Sequence, residues 1–175
     1  MNFIPLTGKF IQVVIETPKG SPYKYAFDPD LQIFRLKKSL PMGMAFPFDF
    51  GFIPNTIGGD GDPIDVLVIM DQPAYPGCLV ECRALGVLMA TQREKNGKAF
   101  RNDRILAISS CSRLFKDLQK IEHLNKDMKK EIQNFFVDYN THLGEKFTPL
   151  KFAGANEARK LITNGIKDSI PKNQE

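Results

Sequence analysis

The chain has 175 residues, 42% hydrophobic and 25% charged, and its 24 basic and 20 acidic residues leave a net charge of +4. That mix excludes a wholly disordered chain and allows a sizeable core, and no uncharged apolar run approaches the roughly 20 residues that span a bilayer. The mild charge suits an anionic small molecule without demanding nucleic acid.

Cys78, Cys82 and Cys111 form no CxxC pair, which argues against a disulfide scaffold. His123 and His142 lie far from them in sequence, so zinc-ligand spacing is lacking. The start MNFIPLTGKF lacks the charged and apolar segments of a signal peptide, and a cytoplasmic location without membrane contact is expected.

Taken in order, short β-branched runs predict strands at residues 11–16, 23–27, 32–36, 65–70, 79–88 and 104–109. Turn clusters at 18–22, 28–30, 58–63 and 73–77 separate them. No helix is expected between these strands, so a small antiparallel barrel is favoured over a parallel sheet. Phe46, Phe48, Phe50 and Phe52 alternate, a pattern that fits either a core-facing stripe or a base-stacking surface. Cys78, Val80 and Cys82 read as one packed strand face, and the basic 93–104 segment as a flexible loop.

Beyond residue 112 the texture changes. Met128, Ile132, Phe135, Phe136, Tyr139 and Leu143 follow helical steps, with Asn125 placed to cap the start and Gly144 to end the helix. A last helix is predicted over 155–166. The whole reads as a single domain over 1–175, with a barrel at about 10–112 and C-terminal helices at about 113–168.

The chemically richest stretch is Gly58-Gly59-Asp60-Gly61-Asp62-Pro63-Ile64-Asp65-Val66. Three carboxylates this close repel one another unless solvent screens them or a cation neutralises them, and oxygen-rich clusters suit Mg²⁺ or Mn²⁺. From the residues alone, a solvated acidic turn and a hard-cation cage both remain open. An EF-hand loop fails, because Ile64 stands at its third ligand position and Asp65 at its glycine.

The run from Asp60 to Val66 resembles the signature of the soluble family I inorganic pyrophosphatases. Val13-Val14-Ile15-Glu16, Tyr23-Lys24-Tyr25, the 50–56 run and Gly86-Val87-Leu88 recur in the same order, and the likeness covers about residues 10–165. The resemblance implies a mainly β fold with flanking α-helices, built on a small five-stranded, OB-like closed barrel. It implies metal-dependent hydrolysis of pyrophosphate to two phosphates, with Mg²⁺ or Mn²⁺ as cofactor, in a homo-oligomer that is commonly hexameric in bacteria.

Carried over by position, Asp60 and Asp65 are implied metal ligands, and Asp62 the general base acting on the attacking water. Glu16 belongs to the outer metal shell. Lys24, Lys38, Arg104 and Tyr139 contact substrate phosphate. The chain departs from the family pattern at Lys38 (usually Arg), Arg104 (usually Lys), Phe46 and Phe50 (usually Tyr), Ala26 (usually acidic) and Asn140 (usually Lys). Gln92 and Asn102 stand where two further carboxylates are usual, and a one-residue bulge would let Asp103 replace one of them. These departures keep a second reading in view, in which the scaffold binds a phosphate ligand with weak or no turnover, or hydrolyses another phosphoanhydride.

Overall fold

The computed structural model describes residues 5–170; the outer ends of the 1–175 domain and the first residues of the amino-terminal segment lie outside the described residues. In chain order the strands are β1 (Leu6–Thr7), β2 (Phe10–Thr17), β3 (Tyr23–Asp28), β4 (Ile33–Ser39), β5 (Asp49–Phe52), β6 (Asp65–Ile69), β7 (Leu79–Arg93), β8 (Ala99–Arg101) and β9 (Arg104–Ser109). They are followed by α1 (Lys126–His142), β10 (Lys146–Gly154) and α2 (Ala155–Ser169). Among the described residues no helix is long and apolar enough to cross a membrane.

Five pairings, β2 with β5, β5 with β6, β6 with β9, β9 with β7 and β7 with β2, close a ring. The expected mainly β architecture with flanking helices is what forms. One detail differs from the antiparallel expectation. β6 and β9 run parallel, in the register Val66↔Ile105 through Ile69↔Ile108, because β7 and β8 return the chain to the same end before β9 begins. β9 is buried along its whole length, as a strand flanked on both edges and covered on both faces should be.

Alternation along each strand sends neighbouring side chains to opposite faces. Leu67, Ile69, Leu106 and Ile108 join the core beneath α1, while Val66, Val68, Ile105 and Ala107 join Ile11, Val13 and Ile15 in the core beneath α2. The α1 core is aromatic. Phe46, Phe48 and Phe50 are buried there, with Phe46 and Phe50 against Phe135 and Phe136, so this stripe is no base-stacking surface. α1 begins where the Asn125 side chain accepts a hydrogen bond from Asp127 N at 2.7 Å, and it ends before Gly144, whose φ is +72°.

Four strands escaped the sequence pattern: β1, β5, β8 and β10. β5 is short and lies between prolines, and Gly51 at its centre meets β2 so closely that a Cβ would overlap the Val14 carbonyl. β10 carries Pro149, which ordinarily argues against a strand; its pairing with β7 shifts register between Pro149 and Lys151. The basic segment is also more ordered than expected, since β8 folds back on the end of β7. Cys78 precedes β7 and is exposed, in contrast to buried Cys82, so the expected cysteine face is not continuous.

α2 positions the acidic turn. Gly165 accepts a hydrogen bond from Ile57 N at 3.0 Å, and a Cβ on Gly165 would stand 2.8 Å from the Ile57 carbonyl oxygen. Gly165→Ala should therefore push the turn off the helix and lower the free energy of urea unfolding by about 1–3 kcal/mol. A change within about 0.5 kcal/mol would show that the contact yields easily.

Candidate active site

The parallel register places the central pair of the site. Val66 stands beside Ile105, so Asp65 and Arg104, the first residues of β6 and β9, lie side by side at one end of the ring. Arg104 Nη1 forms an ion pair with Asp65 Oδ2 at 2.7 Å. Arg104 is 7% exposed and its guanidinium carbon stands 5.4 Å from the ring centre of Phe136 and 5.9 Å from those of Phe50 and Phe147. Each ring face contributes on the order of 1 kcal/mol of cation–π attraction.

The same nitrogen donates to Asn102 Oδ1, and Asn102 Nδ2 donates to Gln92 Oε1 at 2.7 Å. Gln92 Nε2 in turn donates to Glu145 Oε2 at 2.7 Å. Asn102 and Gln92, the two amides in place of carboxylates, thus form a relay from Glu145 to Arg104. Arg104 Nε is the single buried side-chain nitrogen or oxygen without a hydrogen-bond partner among the described residues.

A second cation enters from the β3–β4 hairpin. Thr17 at the end of β2 fixes that hairpin, accepting from Tyr25 N at 3.0 Å and donating to Tyr25 O at 3.0 Å. Glu16 accepts from Phe27 N at 2.8 Å and pairs with Lys24 Nζ at 2.8 Å. Lys24 Nζ also lies 4.0 Å above the Phe50 ring. Lys38 faces Lys24 across the hairpin and stands 5.9 Å from the Tyr139 ring centre. It lines a cavity of about 320 Å³ with Leu40, Tyr139 and His142.

The acidic turn closes on itself. Asp62 O accepts from Gly58 N at 2.7 Å, Gly61 adopts φ +92°, and Asp60 Oδ1 accepts from Asp62 N at 3.2 Å. Thr56 braces its base, with Oγ1 donating to Ile53 O at 2.6 Å and accepting from Ile64 N at 3.0 Å. Asp60 and Asp65 line a cavity of about 170 Å³ between the turn and α2, with Asn102, Asp103, Leu161 and Gly165.

Burial governs the site's titration. It pushes Asp65 up to about 6, against the pull of Arg104 and Lys24, with Asp60 and Glu16 adding to the rise. Burial also raises Asp60, and it pushes the Tyr139 hydroxyl up to about 12.

Glu16, Lys24, Asp60, Asp65, Arg104 and Tyr139 therefore share one electrostatic neighbourhood, with Lys38 at its edge. Asp62 is exposed on the outer side of the turn. The expected cage of three converging aspartates is not assembled. Among the described residues no three carboxylate, histidine or cysteine side chains stand close enough to hold one metal ion. Asp103 is not swung in by a bulge; it pairs with Arg101 at 2.6 Å and accepts from Ala90 N at 2.9 Å, while Asn102 takes the place beside Arg104. Asp60, Asp65 and Glu16 offer oxygen donors only, the ligand chemistry of a hard divalent cation, and Arg104 and Lys24 pair with Asp65 and Glu16. Sequence reasoning missed Phe136, Phe147 and Glu145 as neighbours of Arg104, since Phe147 and Glu145 arrive with the unforeseen β10.

The inorganic pyrophosphatase family model matches residues 13–169. An inorganic pyrophosphatase of Streptomyces coelicolor is 38% identical over 156 residues, covering 89% of this chain and 93% of its own. One from Synechocystis is 39% identical over 152 residues, covering 86% of each. The crystal structure of inorganic pyrophosphatase from Thermus thermophilus superposes with a TM-score of 0.86 at 29% identity, over 97% of this chain and 96% of that one. The chain belongs to the inorganic pyrophosphatase family.

Removing Glu16 would strand Lys24 in a largely buried position. Glu16→Ala is expected to lower unfolding free energy by about 3 kcal/mol in urea titrations; an unchanged midpoint and slope would mean that water replaces the pair without cost.

Proposed function

We infer that this chain hydrolyses inorganic pyrophosphate to two phosphates. The observation that carries the reading is the interleaving of Asp60, Asp65 and Glu16 with Lys24 and Arg104 at one end of the strand ring, within a chain of this family. The family is metal-dependent, and we assign Mg²⁺, with Mn²⁺ as a substitute, to the oxygen donors Asp60 and Asp65, with Glu16 in the outer shell. When bound, such cations neutralise phosphoryl charge and acidify a water.

The remaining work falls to the chain's own side chains. Lys24 and Arg104 provide fixed positive charge for phosphoryl oxygens, and the unpartnered Arg104 Nε offers a further donor. Lys38 and Tyr139 border the adjoining cavity and contact the departing phosphate. Asp62, solvent-facing beside Asp60, takes the proton of the attacking water. Asp103 lies bonded to Arg101 and takes no part in these steps. The protein acts in the cytoplasm as a homo-oligomer of one domain, a reading that fits the exposed apolar residues Leu31, Ile33 and Leu36 on and beside the β3–β4 hairpin.

Phosphate release from pyrophosphate with Mg²⁺ tests the reading. Asp60→Asn and Asp65→Asn should each reduce the rate by at least about 100-fold. Wild-type release no faster than either variant would reject hydrolysis and leave a phosphate-binding scaffold.

The rise of Asp65 to about 6 sets the pH dependence. Protons and Mg²⁺ compete for the ionised carboxylate, so activity should fall as pH drops through about 6 when Mg²⁺ is scarce. Saturating Mg²⁺ should move that limb to lower pH. An acid limb indifferent to Mg²⁺ concentration would assign it to another group.

A further inference from the structure

Asp65 is partly buried at the mouth of the strand ring and is paired there with Arg104. The Arg104 guanidinium is not a mobile surface group that happens to reach it. Register places it there, three aromatic rings surround it, and the Glu145–Gln92–Asn102 relay holds it from the other side. A buried pair of this kind adds little to stability compared with apolar residues of the same shape. Its consequence lies in what Asp65 is free to bind.

We propose that Arg104 is a positioning residue that masks Asp65 until an anion draws the guanidinium away, so that Asp65 contributes to divalent-cation binding only when phosphate oxygens are present. The proposal rests on the reading of the acidic turn as a cation-holding site. In the substrate-free chain the first ion is held by Asp60 and its surroundings, and Asp65 stays with Arg104. An arriving phosphoryl group offers oxygens to the donors of Arg104, including the unpartnered Nε, and releases Asp65. Ordering of binding follows: anion and full metal complement arrive together.

Mn²⁺ alone, titrated calorimetrically into wild type, Asp65→Asn, Arg104→Met and the double variant, tests this without turnover. Asp65→Asn should weaken substrate-free Mn²⁺ binding by less than about twofold, even though it abolishes hydrolysis. Arg104→Met should tighten binding by about tenfold where Asp65 is present and by less than about twofold where it is not. Equal tightening in both backgrounds would reveal a general field effect and overturn masking. Weakening of more than about twofold in Asp65→Asn would also overturn it, and that arm decides the matter if Arg104→Met fails to fold. Absence of Mn²⁺ binding in all four proteins overturns it too. Wild-type pyrophosphate hydrolysis, measured in parallel, separates the outcomes: intact hydrolysis with failed masking rejects this inference alone, whereas absent hydrolysis rejects the reading of the site.

Discussion

The site is organised by one ion pair at the open ends of two parallel strands. β6 and β9 are the one parallel pairing of the ring, and their register leaves Asp65 and Arg104 just ahead of its first opposed pair, Val66 and Ile105. Everything charged nearby is arranged about that pair. Asp60 arrives on the turn leading into β6, Asn102 on the segment leading into β9, and Lys24 on the hairpin bolted to the end of β2. A closed ring with buried strand interiors provides the rigidity; the charges sit where the backbone emerges from it.

The aromatic core of α1 extends this arrangement into the site. Phe50 contacts both Lys24 and Arg104, and Phe136 packs against Phe50 and Phe147. The surface that buries α1 is thus the one that presents ring faces to two cations. Packing and electrostatics are coupled here: moving α1 would alter the setting of Arg104 as well as the core. The amide relay adds direction, since hydrogen bonds from Glu145 through Gln92 and Asn102 restrict how the guanidinium can turn.

Much of this was legible in the sequence. The acidic turn stood out in the residues themselves, Glu16, Lys24 and Arg104 were singled out through the family resemblance, and the strand ring followed from short β-branched runs between turn clusters. What stayed hidden has a common cause. Pro149 disguised β10, and without β10 nothing brings Glu145 to Gln92 or Phe147 to Arg104. Likewise, the sequence allowed a bulge to turn Asp103 into the site, and nothing in its pattern showed that Asp103 pairs with Arg101. Side-chain pairing across strands distant in the chain is set by register, and register depends on every strand being found.

A chain that holds a guanidinium where a divalent ion would otherwise sit has a built-in answer to the repulsion between neighbouring cations. Two divalent ions about 4 Å apart oppose each other by roughly 16 kcal/mol at an effective dielectric near 20; one resident charge that withdraws on demand lessens that load. The most direct check is anomalous diffraction from crystals grown with Mn²⁺ and no phosphate. The account predicts manganese against Asp60 with Asp65 still bonded to Arg104. Manganese seated directly on Asp65, with the guanidinium turned aside, would contradict it.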